Sequence, residues 1–291
     1  MPRAGANGRL TVAVPSKGRM AQPALDLVAA AGLSFEYTDR ALMVPCENAP
    51  VDLLLVRADD IPEYVQDGVV DAGITGANLV VETRAKVETL VELGFGRCTL
   101  EAIVPDGAPQ RELADLDGLR VATSFPVTTE DRLRASGAEV ELVTVCGSVE
   151  AAPRLGLADA IVDLVSTGST ASANGLRRIG KLLDSQAVLI ENPAARAEKA
   201  EMLERLELML RGVVAARRRR YVMLNAHESQ LDAIRAVLPS MGSPTVLNLL
   251  EPGQVAVHAA VETDRIWDLL PALMAAGGSS ILVVPVERLV P

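Results

Sequence analysis

Short apolar runs alternate along this chain with stretches whose apolar residues fall at helical spacing. Leu10-Thr11-Val12-Ala13-Val14 and Leu119-Arg120-Val121-Ala122-Thr123 each read as a buried strand opening a lobe. Pro23 to Ala31 reads as a helix closed by Gly32, and the alternation predicts βαβ units with mostly parallel sheets. Asn192-Pro193 supplies a cap and first residue for a long helix reaching about Arg217, with Met202, Leu206, Met209, Leu210 and Val213 on one face. The run Arg217-Arg218-Arg219-Arg220 suits a helix C-terminus, where cations meet the negative end of the dipole. The apolar strand Ala187-Val188-Leu189-Ile190 and this helix are expected to return to the first lobe.

After Tyr221 the spacing changes. It predicts strands over 221–225, 245–250, 255–261 and 280–285, and helices over 229–238 and 264–276, with Leu231, Ile234, Val237 and Leu238 turned inward. Glu251-Pro252-Gly253 fits a hairpin turn between the middle strands. The order βαββαβ indicates a ferredoxin-like module. Pro271 falls inside its second helix, where it removes a backbone donor.

Two segments echo each other. Val69-Val70-Asp71-Ala72-Gly73-Ile74-Thr75-Gly76 and Ile161-Val162-Asp163-Leu164-Val165-Ser166-Thr167-Gly168 both place Asp after two apolar residues and Thr-Gly a few positions later. Two such lobes would leave a ligand cleft between their strand ends. The second segment runs on through Ser169 and Thr170, so a buried strand ends in four hydroxyls and a glycine before a probable helix start. Backbone N–H groups and hydroxyls grouped in this way form a phosphate cup. An ordinary helix cap would also use such residues. The cup is not the Walker type, because no Gly-x-x-x-x-Gly-Lys-Ser/Thr occurs, and Gly94-x-Gly96 lacks a third glycine.

Composition narrows the class. Among 291 residues, 49% are hydrophobic but only 2% aromatic, as suits an α/β protein built on Ala, Val and Leu. The net charge of −10 argues against general nucleic-acid affinity, which rests on basic surface, so any phosphate site must be local. No apolar run is long enough to span a bilayer and none follows Met1 as a leader would, which points to a cytoplasmic protein with no membrane partner. Cys46, Cys98 and Cys146 are too widely spaced for a zinc motif or a disulfide framework. Both histidines, His227 and His258, lie late in the chain, so chemistry in the first two-thirds must run on binding and electrostatics.

Several segments together resemble the long form of ATP phosphoribosyltransferase, the family that opens histidine biosynthesis. Glu150, Gly156, Ala158, Ile161, Asp163, Leu164, Thr167, Gly168 and Thr170 sit at the family signature's spacing, with Ala171 where the signature has Leu or Met. Val14-Pro15-Ser16-Lys17-Gly18-Arg19, Arg57-Ala58-Asp59-Asp60-Ile61-Pro62 and Asp71-Ala72-Gly73-Ile74-Thr75-Gly76 look like further family segments in the right order. The resemblance implies an α/β fold: a two-lobed, periplasmic-binding-protein-like catalytic body followed by a ferredoxin-like, ACT-like regulatory domain. Lobe I would be 8–98 completed by 187–217, lobe II 99–186, and the regulatory domain 218–291.

The reaction so implied joins N1 of ATP to C1′ of phosphoribosyl pyrophosphate, releases pyrophosphate and needs Mg²⁺. It suits a site without histidine, since adenine N1 already carries a lone pair and catalysis reduces to aligning two polyanions. By resemblance, Ser166, Thr167, Gly168, Ser169 and Thr170 would hold the 5′-phosphate. Asp163, with Glu150 as a weaker candidate, would face the ribose hydroxyls or a magnesium-bound water. Lys17, Arg19 and Arg57 would meet the pyrophosphate and triphosphate, and Asp71, Thr75 and Gly76 would contact ATP. His227, Thr245, Ala260 and Ser280 would form a site for histidine as feedback inhibitor, with His227 where some relatives carry an acid. The resemblance also implies a homodimer that assembles into a hexamer.

Three other readings compete. A two-lobed solute-binding protein would capture an anion without chemistry, but such proteins usually carry a secretion signal. A salvage phosphoribosyltransferase would usually show two adjacent acids before its phosphate loop, whereas Val162 precedes Asp163. A catalytically dead regulatory partner would have little reason to keep Lys17, Arg19, Arg57 and the phosphate loop.

Overall fold

A computed structural model describes residues 8–37, 41–166, 174–238 and 243–290. The chain forms two compact units: one runs up to Glu204, and the other takes Arg205 onward together with Ala30–Gly32.

The first unit contains two sheets. In the first, β1 (Leu10–Pro15) is buried at every position, as expected of a parallel strand covered on both faces. It lies between β3 (Val51–Val56) and β4 (Ala72–Gly76), parallel to both. β2 (Met43–Pro45), β5 (Glu88–Glu92) and β11 (Ala187–Glu191) complete the order β2-β3-β1-β4-β11-β5, with β11 antiparallel to β4 and β5. Helices α1 (Ala21–Ala30), α2 (Ile61–Gln66) and α3 (Ala77–Thr83) follow β1, β3 and β4. The fit of α2 against β4 is close: a Cβ on Gly73 would lie 2.4 Å from Ile61 Cγ2, so only glycine lets the helix sit there.

The second sheet repeats the plan. β7 (Arg120–Thr123) lies between β8 (Glu141–Thr144) and β9 (Ala160–Val165), parallel to both, and β6 (Cys98–Pro105) runs antiparallel to β9. β10 (Leu176–Ser185) closes the order β10-β6-β9-β7-β8, and α4 (Pro126–Ala135) follows β7. The chain crosses between the sheets twice, before β6 and after β10. The crossings are bonded to each other: Leu93 N donates to Ala187 O and Ala187 N to Phe95 O, both at 2.9 Å.

The duplication is real, but its register differs from the one expected. Asp71 and Asp163 are not equivalent. Asp71 N donates to Thr11 O while Thr11 N donates back to the Asp71 carboxylate, tying the start of β4 to β1. The same reciprocal pair joins Asp159 to Arg120 at the start of β9 and β7. The repeat is therefore Gly68-Val69-Val70-Asp71-Ala72 against Gly156-Leu157-Ala158-Asp159-Ala160, and both glycines have positive φ. Asp163 stands four residues beyond its lobe's anchor, in the place Thr75 takes in the first sheet.

Helix α5 (Pro193–Arg217) follows β11, with Asn192 Oδ1 accepting from Ala194 N at its start. Its expected continuity is interrupted at Lys199, whose φ of −129° is not helical. There the Lys199 ammonium donates to both Asp71 carboxylate oxygens, at 3.0 and 2.8 Å, and to Arg9 O at 2.9 Å.

The second unit contains a four-stranded antiparallel sheet, β12 (Arg219–His227), β13 (Thr245–Asn248), β14 (Gln254–Glu262) and β15 (Ser279–Pro285), in the order β13-β14-β12-β15. With α6 (Leu231–Val237) and α7 (Ile266–Ala275) the sequence of elements is βαββαβ, the ferredoxin-like arrangement. Val222, Leu224, Val255, Val257 and Val261 face Ile234, Leu269 and Leu273 of the helices. Pro271 is accommodated within α7. The hairpin turn forms at Glu251-Pro252-Gly253, where Gly253 has φ +78°. Among the described residues, no helix is long and apolar enough to cross a membrane.

Candidate active site

The carboxyl ends of β1, β3 and β4 lie side by side because the three strands are parallel, and in such sheets this is where ligands gather. A cavity of about 310 Å³ opens there, lined by Lys17, Arg19, Arg57, Gly76 and Asn78 from the first sheet's loops and α3, with Phe125 and Leu164 from the second. The loop after β1 is pinned by Ser16 N donating to Val56 O at 2.7 Å, and Gly18 turns it with φ +79°. The loop after β3 is held by the Thr75 hydroxyl, which donates to Ala58 O at 2.9 Å. Lys17, Arg19 and Arg57 are exposed, and none makes a side-chain hydrogen bond or ion pair among the described residues. Three cations against the single carboxylate of Asp59 leave the opening net positive, which attracts a polyanion.

Asp163 lies on β9 opposite Glu101, next to the Leu164 that borders the cavity. Burial pushes its carboxyl above the ordinary value and nearby Glu150 raises it further. The hydrogen bond from Leu164 N and the Arg19 guanidinium oppose this. An acid and a cation from different sheets therefore feel one another across the opening. Glu150 sits in the 3-10 turn Val149–Ala151, entered through Ser148 in a left-handed conformation.

The remaining expected residues are distributed unevenly. Thr167, Gly168, Ser169 and Thr170 lie outside the described residues. Ser166 lines a second cavity of about 530 Å³ with Arg97, Thr99, Asp184 and Gln186. Asp71 and Thr75 do not line the cation-bearing cavity: Asp71 is bound to Lys199 and Thr11, and Thr75 is fully buried. Gly76 does line it. A Cβ there would lie 2.5 Å from Asn78 Oδ1, which explains the glycine.

In the second unit, Thr245 pairs with His258 and Ala260 with Tyr221, all on the sheet face away from the helices. Tyr221 and His258 meet edge to face with ring centroids 5.8 Å apart. His227 lies at the far end of β12, six positions from Tyr221, or about 20 Å along an extended strand. Its Nδ1 accepts from Ser229 N at 3.3 Å, capping a short 3-10 turn. Ser280, at φ +51°, is on the edge strand β15. One small ligand does not reach all four within a single chain.

Three residues absent from the sequence expectations stand out. Asn78 and Ser185 form a buried pair at the chain crossing, with Asn78 N donating to Ser185 Oγ at 3.0 Å and Ser185 Oγ donating to Asn78 Oδ1 at 2.8 Å. Arg97 enters the cavity beside Ser166. Gly94 and Gly96, both at positive φ, shape the turn around it, but nothing local indicates what the turn faces.

Comparison with known proteins agrees with this arrangement. A family model described as HisG, ATP phosphoribosyltransferase, matches residues 57–212, and one described as HisG, C-terminal domain, matches 216–288. The ATP phosphoribosyltransferase of Maricaulis maris is 43% identical over 97% of this chain and 98% of its own, and that of Methanothermobacter thermautotrophicus is 42% identical over 97% and 100%. Among solved structures, the ATP phosphoribosyl transferase (HisG:HisZ) complex from Thermotoga maritima aligns with a TM-score of 0.61 at 26% identity, covering 69% of this chain and 98% of that one. The two matched family models and relatives alike over nearly their whole length lead to one conclusion: the chain belongs to the ATP phosphoribosyltransferase family, enzymes of histidine biosynthesis.

Proposed function

We propose that the chain condenses N1 of ATP with C1′ of phosphoribosyl pyrophosphate at the opening between its two sheets, with Lys17, Arg19 and Arg57 as the residues that hold the departing pyrophosphate and the triphosphate. The observation that carries this reading is the set of three unpaired cations at the ends of β1 and β3, which share one opening with Phe125 and Leu164 of the second lobe, Arg19 lying near enough for its charge to act on Asp163. Arginine serves here because its planar fork bonds two phosphate oxygens at once. Ser166, Thr167, Gly168, Ser169 and Thr170 are assigned the 5′-phosphate, and Asp163 and Glu150 the ribose hydroxyls. Gly76 is the residue of the first sheet best placed for ATP. Catalysis is then alignment of C1′ with adenine N1 and stabilisation of the leaving group's charge.

The reaction is assigned a Mg²⁺ brought in on the substrate's phosphates, since this ion keeps most of its waters and takes one or two protein carboxylates at most. Such an ion would supply charge neutralisation at the leaving pyrophosphate, and Asp163 is the carboxylate assigned to a water on it. The proposal extends to a cytoplasmic enzyme inhibited by histidine at its second unit, through His227, Thr245, Ala260 and Ser280. By its family resemblance it further includes homo-oligomers, dimer and hexamer. Exposed Leu247, Leu282 and Val284 support a partner surface on that sheet.

The test mixes protein, ATP, phosphoribosyl pyrophosphate and Mg²⁺ and follows pyrophosphate release. Product should form, and Arg57→Lys should lower kcat/KM by about tenfold or more, since one charge-assisted hydrogen bond contributes about 1.5–3 kcal/mol. An inactive wild type would sink the reading. Titrating histidine against the active protein tests inhibition separately.

A further inference from the structure

Helix α4 begins without a cap of its own. Its N-cap residue is Phe125, which offers no side-chain acceptor, and Pro126 follows at the first helical position. The next N–H groups, on Val127 and Thr128, would be orphan donors at the positive end of the helix dipole. Both are satisfied from the other sheet. Glu82, near the end of α3, accepts from Val127 N at 2.9 Å through Oε1 and from Thr128 N at 2.9 Å through Oε2. The Thr128 hydroxyl also donates to Oε2, at 2.7 Å. Thr128 is 1% exposed, so this end of the contact is shielded from water, where a carboxylate's bonds to N–H groups count most.

A second contact lies alongside. Arg84 donates to both carboxylate oxygens of Asp131 on α4, at 2.9 and 2.8 Å. Arg84 occupies the left-handed region, at φ +52°, as the C-cap of α3. A side chain rarely adopts that conformation without compensation elsewhere. Both partners of this ion pair are half exposed, so it adds little energy by itself. Glu82 is the stronger bond, and it joins the helix that follows β4 to the helix that follows β7. Phe125, which begins α4, and Gly76, which begins α3, both line the cation-bearing cavity.

We infer that Glu82 is a positioning residue for the reaction: by capping α4 from α3 it fixes the separation across which Lys17, Arg19 and Arg57 face Phe125 and Leu164 of the second lobe. This rests on the reading under Proposed function. ATP's triphosphate can still bind the cations of the first lobe when the cap is lost, whereas phosphoribosyl pyrophosphate bridges the two lobes and alignment of C1′ with adenine N1 requires both in register. Loss of the cap therefore lowers kcat and raises the KM for phosphoribosyl pyrophosphate, while the KM for ATP changes little.

The experiment compares wild type, Glu82→Gln and Glu82→Ala in the full chain, measuring kcat and KM for both substrates and thermal stability. It also measures the distance between spin labels at Glu63→Cys and Glu141→Cys, two exposed positions on the two lobes, with the exposed Cys146 replaced by Ser. The expected result for Glu82→Ala is a fall in kcat of about tenfold or more, a raised KM for phosphoribosyl pyrophosphate with the KM for ATP within about threefold, and a broadened label distance. Glu82→Gln keeps one accepting oxygen and should fall between the two, so it carries the test if Glu82→Ala does not fold. Unchanged kcat and unchanged label distances in a folded variant would overturn the inference while leaving the function intact. A wild type that makes no product would overturn both, with the label distances still reporting whether Glu82 holds the lobes.

Discussion

Asp163 pays for its position: burial opposes its charge, and only the Leu164 N–H and the Arg19 guanidinium favour it. Because the folded chain holds this carboxyl above its ordinary value, the folded state loses stability as pH rises through that raised value, and the penalty is absent below the ordinary carboxyl range. Asp163→Asn should therefore raise the melting temperature at neutral pH, with the gain vanishing toward about pH 4. The same change should lower kcat/KM by about tenfold or more if Asp163 meets the substrate. Calorimetry across that range, alongside the pyrophosphate assay, checks both halves. At this scale the sequence was readable where a side chain follows directly from a strand end. Lys17, Arg19 and Arg57 follow β1 and β3, so their gathering at one opening needs only parallel strands. Asn78, Ser185 and Arg97 gave no such signal, because each acquires its surroundings from a chain crossing that local spacing does not encode. Cys46 is of a different kind: burial pushes its thiol up to about 11, leaving it inert at neutral pH.

The elements of the tail were predictable to within a few residues because alternation and helical spacing are local, and every strand and helix expected after Tyr221 is present. The long helix was misjudged at Lys199. Its spacing favours continuity, but the nearly buried Asp71 requires a cation, and the helix breaks where Lys199 supplies one. Removing one partner of such a pair leaves the other charge without compensation. Lys199→Met should accordingly destabilise the protein by about 3 kcal/mol, read as a lower urea midpoint with an unchanged slope. The echo between 69–76 and 161–168 was misaligned for a related reason. Apolar-apolar-Asp occurs twice near β9, at Asp159 and Asp163, and only hydrogen bonding to the neighbouring strand distinguishes the anchor from the ligand-end acid.

For the molecule as a whole, the α/β body with two sheets and the ferredoxin-like tail were legible from element order alone, since alternating strands and helices leave few ways to bury both faces of a sheet. What the order could not convey is which faces remain open. The tail sheet presents Leu247, Leu282 and Val284, each at least 40% exposed, on the side away from its helices. If the proposed dimer and hexamer bury this face, Leu282→Glu should reduce the mass measured by light scattering, with the unfolding transition of the tail retained. A mass identical to that of wild type would assign oligomerisation to another surface.

The paired anchors Asp71 and Asp159 carry one more consequence. Both halves of the body kept the carboxylate that ties one strand start to the next, whereas one half has an acid at the ligand end and the other a threonine bonded to the loop after β3. What the halves share is architecture, and what separates them is charge. A hybrid made from two copies of the first half would retain both anchors and still fold its strands in order, yet it would meet two polyanions with cations on both sides and no carboxylate to orient a sugar between them.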